Sequence, residues 1–542
     1  MQRRQKATCV AWDVPPFSLA WMIRTSRLRT SAQSDTEVAF YGCRVRVLVV
    51  HSRLGNQPAR VSMSVWHLRL ALTVWLILLL AAAPWPLGSA IPLAAIIFAL
   101  LSTVTAAAAV LLPRLPQRRP FTAPVMVAGL MVAGVIGWMM VQLLPAIGPG
   151  WAHPGWTYAP DGTGIGSISI APDSGVFQLV RFIGYVSLFV AVVAVATERK
   201  LAELLYNSMM VIITLYAIYG LIAWGLDFET VAGFGPVAYV GDVTSTFVNR
   251  NSWATFANLG LVLILARLSQ DFEEDRGSTL KSRLIELFQT IKPMMLFKLA
   301  AFFIVATSSI LSHSRGGFLS AAVALPLMLI IVLAAVRPRA SLIAVSVLVV
   351  AIAGVWIVAA SGEGLLVRLQ QLDMQFDESS AGRLVAWAIS MELIADRPWL
   401  GHGLGSFQAV FQSRTDERFT LIYDLAHNTY IEHMLEIGIP ATIMLYGAVV
   451  ILFGMCVRGV FRRKRDRVFP LAAVGATLLV GLHALVDFSI QMPAIAMYYC
   501  AILAMGCAQA NPSERIKVSK QRRSSSVRPI VAEAPEGIVV EA

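Results

Sequence analysis

Charge is scarce in this chain: Asp, Glu, Lys and Arg together make up 14% of its 542 residues. A water-soluble surface on a protein of this length draws on roughly a quarter charged residues, so a soluble globular fold is excluded. Cysteine is sparse too, with five residues. Cys9 and Cys43 precede the apolar region, and Cys456, Cys500 and Cys507 fall within apolar runs or toward their cytoplasmic ends. No pair sits in an extracytoplasmic loop, so no structural disulfide is expected. The glycines Gly401, Gly403 and Gly405 do not complete a dinucleotide fingerprint, and no strand–helix–strand unit surrounds them, which leaves them a turn. The first outward-facing loop, "APWPLGS", has no carboxylate, and Asp161 and Asp173 in the second lack the paired spacing of a metal site.

What the chain has instead is apolar length. Hydrophobic residues make up 57% of it, and runs of about 18 or more such residues signal spanning helices. The expected fold is an all-α polytopic membrane protein of about twelve transmembrane helices. The expected spans are 66–83, 90–112, 121–144, 174–196, 202–224, 251–266, 297–313, 316–336, 341–360, 431–457, 468–490 and 493–510. Arg and Lys gather in alternate loops, among them Arg114, Arg118 and Arg119, then Arg199 and Lys200, then Arg462 to Arg467. That asymmetry places both termini in the cytoplasm. The net charge of +12 is therefore topology, and no nucleic-acid partner is expected.

Residues 1–62 are arginine-rich and aperiodic, and are expected to be a disordered extension or a mis-assigned start. Residues 63–360 carry spans one to nine, 431–510 carry spans ten to twelve, and 511–542 form a disordered cytoplasmic tail. Between spans nine and ten lies a large periplasmic loop, 361–430, with helical patterns of its own. "GRLVAWAISMELIADRP" has helix-like apolar spacing that Pro398 ends, and "GHGLGSFQAVF" reads as a Gly-rich turn before a short helix. Long loops in compact proteins are usually functional.

Four segments put ionisable groups at outer span ends: "STFVNRNSWATF" with Arg250, "SHSRGGFLS" with Arg315, "LAHNTYIEHMLEIGIPA" with His427, and "HALVDFSIQMP" with His483 and Asp487. Such groups near hydrocarbon face a protein interior or a wet cavity. In the third segment, at about 100° per residue, Asn428, Thr429, Glu432, His433 and Glu436 share one sector. Tyr430, Ile431, Met434, Leu435 and Ile437 fill the other. Residues 428–437 thus read as a two-faced helix that Gly438 and Pro440 break before the span proper. His427 stands at its N-terminus, off the polar stripe. Plainer readings exist for each group alone: a hydrogen-bonded interfacial histidine, snorkelling arginines, a solvated Glu432/Glu436 face, and Asp487 paired with His483 at helical spacing for packing.

Together, His427-Asn428, nine residues, then Gly438-x-x-Ala441 resemble the motif of the O-antigen ligase family, which includes O-antigen and exopolysaccharide polymerases. The family motif usually ends in a second glycine, which Ala441 replaces. "TFVNRN", "SHSRGG", "GRLVAWAISMELIADRPWLGHGLGSF" and "LVDFSIQMP" are similar to further family segments, in order, from Thr244 to Pro493. The resemblance implies a GT-C-like glycosyltransferase at the outer face of a bacterial inner membrane. Its donor would be an undecaprenyl-diphosphate-linked oligosaccharide, and its acceptor another carrier-linked glycan or lipid A core sugar.

The residue types fit that chemistry. Guanidinium offers paired donors to the phosphate charge that develops on the leaving group, a role assigned to Arg250 and Arg315, with Arg383 as a third candidate. Histidine suits deprotonation of an acceptor hydroxyl, so His427 is the candidate general base, with donor-phosphate binding as its alternative role. Asn428, Gly438 and Asp487 are expected to support it. No cofactor is expected, and transfer is expected to be metal-independent. The rival class is a twelve-span secondary transporter or exporter of a polysaccharide precursor. Its marks would be repeated halves and ionisable groups at mid-membrane depth, neither of which is visible.

Overall fold

The computed structural model describes residues 36–40, 43–47, 57–112, 121–146, 148, 150–158, 166–274, 293–336, 372–415, 423–463 and 465–511. The expected span 341–360 and the tail beyond 511 lie outside the described residues. The chain divides into two units, Met1–Met63 and Ser64–Ala542. In the first, strands β1 (Thr36–Phe40) and β2 (Cys43–Val47) pair antiparallel, Thr36 opposite Val47.

The second unit is a helical bundle. Its elements are α1 (Gln57–Ala82, beginning in the first unit's range), α2 (Pro92–Leu111), α3 (Ala123–Leu143), α4 (Pro172–Ala196) and α5 (Arg199–Gly225). After a small pair of strands, β3 (Thr230–Val231) and β4 (Gly235–Pro236), come α6 (Arg250–Glu274), α7 (Pro293–Ile310) and α8 (Arg315–Val336). They are followed by α9 (Leu372–Asp396), α10 (Phe407–Gln412), α11 (Thr429–Arg462), α12 (Val468–His483) and α13 (Pro493–Gln509). Among the described residues nine helices are long and apolar enough to cross a membrane, and α12 and α13 are shorter apolar helices. These eleven overlap eleven of the expected spans. Span eleven is corrected at its end: α12 stops at His483, not near residue 490. Both helices expected in the 361–430 segment are present, as α9 and α10.

Several helices open on proline, as with Pro92, Pro172 and Pro493. A first-turn residue has no intrahelical acceptor for its N–H, so proline loses nothing there. The outer helices leave large apolar side chains exposed, for example Leu93, Leu130 and Ile330, as a lipid-facing surface requires. α6 is the central helix, 89% buried along its apolar window. Close crossings use small residues: a Cβ on Gly184 would lie 2.5 Å from the Ala99 Cα, which lets α4 press against α2 backbone to backbone.

At one end of the bundle Arg199 and Arg463 share Asp466, at 2.9 and 3.4 Å, and Gln509 Nε2 donates to the Ala196 carbonyl. The other ends of α11 and α12 carry the polar groups of the His427 segment. There α11 is not continuous. Gly438 has φ 79° and ψ 160°, a kink that separates the short helical start Thr429–Ile437 from the long apolar run.

Candidate functional site

Asn428 starts α11 by capping it: its Oδ1 accepts from the Tyr430 and Ile431 amides at 3.1 and 3.2 Å. This satisfies two of the N–H groups that a helix start leaves orphaned. The residue before it, His427, takes φ +51°, the left-handed region that non-glycine residues seldom occupy. The Thr429 amide donates to the Ala484 carbonyl and its hydroxyl to the Asp487 carbonyl, so the turn after α12 holds the start of α11 in place.

The left-handed bend turns the His427 ring onto that neighbouring turn. Nδ1 lies 3.4 Å from Asp487 Oδ1, and the ring meets Phe488 edge-on. Asp487 is buried, whereas the His427 side chain keeps 27% of its surface. The same carboxylate accepts from Asn251 Nδ2 at 3.3 Å and from the Ser489 hydroxyl. Burial raises the Asp487 carboxyl pKa, but the hydrogen bond from His427, the nearby His483 and the bond from Ser489 outweigh it. The carboxyl is held below its usual range and is ionised. An ionised carboxylate only accepts, so Nδ1 of His427 carries the hydrogen between them; whenever the ring is neutral, Nε2 then holds a lone pair.

The plainer alternative for Asp487, a packing pair with His483 at helical spacing, does not hold. α12 ends at His483, so Asp487 is not one helical turn further along the same helix. Thr255 donates its hydroxyl to the Asn251 carbonyl, and its oxygen takes Nδ1 of His483.

Two of the three arginines open helices. Arg250 begins α6 and donates from Nη1 to Asp242 Oδ2 at 2.6 Å, its guanidinium standing 5.4 Å from the Tyr239 ring centre. Arg315 begins α8 and is exposed, next to Gly316, whose Cβ would fall 2.8 Å from His483 Nε2. Arg383, on α9, donates to the Val486 carbonyl at 3.3 Å, one residue before Asp487. The structure therefore brings His427, Asp487, Arg250, Arg315 and Arg383 to one end of the bundle, linked through Asn251 and the turn after α12.

Residues 300–446 match the O-antigen ligase family model. This stretch of the chain is similar to the O-antigen ligase family. No curated protein matches the sequence. The matched residues contain Arg315, Arg383, His427, Asn428 and Gly438; Arg250 and Asp487 lie outside them and join them by folding.

Gly438 belongs to this end for a different reason. The segment 397–407 crosses α11 at the kink. The His402 amide donates to the Leu435 carbonyl and the Gly403 amide to the Glu436 carbonyl, both at 2.9 Å. In return the Ile439 amide donates to the Pro398 carbonyl at 2.9 Å. In an unbroken helix the Leu435 carbonyl and Ile439 amide would bond each other, and the Glu436 carbonyl faces Pro440, which has no N–H to offer it. A Cβ on Gly438 would lie 2.6 Å from the Trp399 carbonyl oxygen, and one on Gly401 (φ +70°) 2.3 Å from the Glu436 carbonyl oxygen.

Glu432 and Glu436 do not form a solvated face; they are 3% and 5% exposed. Glu432 accepts from the Ala426 amide and Gln491 Nε2, both at 3.0 Å, and Glu436 accepts from the Phe407 amide at 3.2 Å. Each carboxylate thus ties a loop to α11. With His433, Arg181 and Gln178 they line a cavity of about 70 Å³. Among the described residues no three His, Cys, Asp or Glu side chains gather as a metal site. Asp161 lies outside the described residues, and Asp173 sits in the first turn of α4.

Two members of this end carry no motif of their own. Asp242 holds Arg250, and its other oxygen holds His313 Nδ1, also at 2.6 Å. Burial works against ionisation of Asp242, but hydrogen bonds from His313 and Arg250 prevail and lower its pKa. The only sequence sign of His313 is its place in "SHSRGG", two residues before Arg315.

Proposed function

We propose that this O-antigen ligase-type membrane protein is a glycosyltransferase of a bacterial inner membrane, with its site on the periplasmic face. It takes a glycan from an undecaprenyl-diphosphate carrier and passes it to a saccharide hydroxyl, and we assign polymerisation of a surface polysaccharide as its task. The observation that carries this reading is the His427–Asp487 pair set among Arg250, Arg315 and Arg383. Nε2 of His427 removes the proton of the acceptor hydroxyl while Asp487 steadies the resulting imidazolium. The acceptor oxygen bonds to the anomeric carbon as the bond from that carbon to the phosphate oxygen breaks, and the carrier leaves as its diphosphate. The arginines meet the charge that develops on that leaving group, in place of a metal cation.

The test is deletion followed by analysis of surface and carrier-linked glycans. A polymerase mutant accumulates single repeats on the carrier, whereas a ligase mutant accumulates long chains there. Unchanged glycans in every pool would refute transfer of either kind. Within that assay His427→Ala lowers transfer by about 10²–10⁴-fold, the usual contribution of a positioned general base, with the protein still abundant in the membrane. Retained activity would remove His427 from the role.

A further inference from the structure

A second histidine–carboxylate pair stands beside the first. Asp242 accepts from Arg250 Nη1 on one oxygen and from His313 Nδ1 on the other, both at 2.6 Å. Asp242 has 6% of its side chain exposed, against 31% for Arg250 and 13% for His313, so the carboxylate is the most covered of the three. The backbone repeats as well: His313 has φ +51°, as His427 has, and each lies within two residues of a helix start. Strained backbone of this kind persists where surrounding structure enforces it, and it clusters at functional sites. Asn251 joins the two pairs. Its amide donates to Asp487, and its oxygen accepts from the hydroxyl of Ser314, the residue after His313, at 2.8 Å.

The proton inventory of the second pair is constrained. A carboxylate shared by two donors is acceptor-only, so Nδ1 of His313 carries a hydrogen. In the neutral ring Nε2 is then a lone pair, which repels a phosphate oxygen. Only the imidazolium donates there. Charge points the same way. Asp242 offsets the charge of Arg250, so the three groups together are neutral when His313 is neutral and carry one positive charge when it is protonated.

We infer that His313 is a further donor-binding residue: it takes up one proton as the diphosphate binds, contacts it as imidazolium, and releases that proton when the carrier diphosphate leaves. This rests on the donor proposed above. The two histidines then have opposite requirements in one site, His427 neutral to accept a proton and His313 charged to hold a phosphate. The titratable and charged groups around His313 are Asp242 and Arg250 at the approach to α6, and Arg315 at the start of α8. Across Asn251 are Asp487 with His427, and His483.

The experiment is equilibrium binding of farnesyl diphosphate to the purified full-length protein in nanodiscs, between about pH 6 and 9, the span around the ordinary histidine range. Wild type is compared with His313→Asn, because asparagine tolerates the left-handed backbone and keeps an N–H for Asp242. The probe's own titration is common to both proteins and cancels in the comparison. The wild-type Kd should rise with pH more steeply than the variant's, by up to about tenfold per pH unit for one linked proton. Equal slopes overturn the inference and leave the donor reading standing. Absence of binding at every pH overturns both.

Asp242→Asn provides a second readout with a sign that simple damage would not produce. Removing the anion flattens the pH slope and also tightens binding at high pH, since Arg250 is no longer offset. Weakened binding with an unchanged slope would overturn the inference.

Discussion

Gly438→Ala tests the joint between α11 and the segment 397–407. At φ 79° and ψ 160° the backbone sits where essentially only glycine goes, and forcing a side chain there costs about 1–3 kcal/mol. The new methyl would also stand 2.6 Å from the Trp399 oxygen and 3.0 Å from its carbonyl carbon. Both are backbone atoms, so no rotamer change relieves the clash and the whole segment must move. Moving it weakens three 2.9 Å bonds, from His402, Gly403 and Ile439, each worth about 1 kcal/mol net. With the backbone strain, the total is about 4–6 kcal/mol if all three bonds are lost. Thermal unfolding in detergent, with limited proteolysis of residues 397–407, reads it: a lower Tm and early cleavage are expected. Ala441→Gly, three residues on and past the kink, costs about 1 kcal/mol of helix propensity and about 0.8 kcal/mol for its buried methyl, with no backbone clash. If Gly438→Ala unfolds and resists protease like wild type, or if both variants behave alike, the joint is not what requires this glycine.

Arg315→Lys keeps the charge but loses the guanidinium fork, and charge-assisted bonds of that kind are worth about 1.5–3 kcal/mol. Because Arg315 is exposed, the fold should tolerate the change while transfer falls about 10- to 100-fold; full activity would reduce Arg315 to an interfacial anchor. A pH effect is expected where the two large loops meet. The Gly155 amide donates to His153 Nδ1 (3.0 Å), His153 Nε2 to His402 Nδ1 (2.8 Å), and His402 Nε2 to the Leu393 carbonyl (2.8 Å), a relay with every site filled by neutral rings. Burial, then the neighbouring His402 and Arg397, push His153 down to about 4, and burial lowers His402 as well. The unfolded chain therefore binds protons first, so this contact is fully stabilising above the ordinary histidine value of about 6.5 and weakens as pH falls from there toward about 4. Faster proteolysis of residues 145–158 at pH 5 than at pH 8, abolished in a His153→Gln/His402→Gln double variant, is expected; pH-independent cleavage would refute it.

Much of the fold was legible because membrane helices are written as apolar length. Eleven described helices lie on expected spans, and the two-faced start of α11 with its break at Gly438 could be counted out at helical period. His427 stood apart from that stripe, and the structure places it before the Asn428 cap. What the period could not convey is which groups satisfy the polar stripe. Glu432 and Glu436 read equally well as a wet face, and only the fold brings the Ala426 and Phe407 amides and Gln491 onto them.

The sequence by itself determined a polytopic helical protein, the order of its arginine- and histidine-bearing segments, and the resemblance that the match over residues 300–446 supports. Those properties are local, set by runs, periods and short motifs. The tertiary structure decided the partners. Asp487 meets His427 across 60 residues, and Asp242 meets His313 across 71. A lone Asp and a lone His carry no local sign of each other; their pairing follows from which helix ends the bundle brings together.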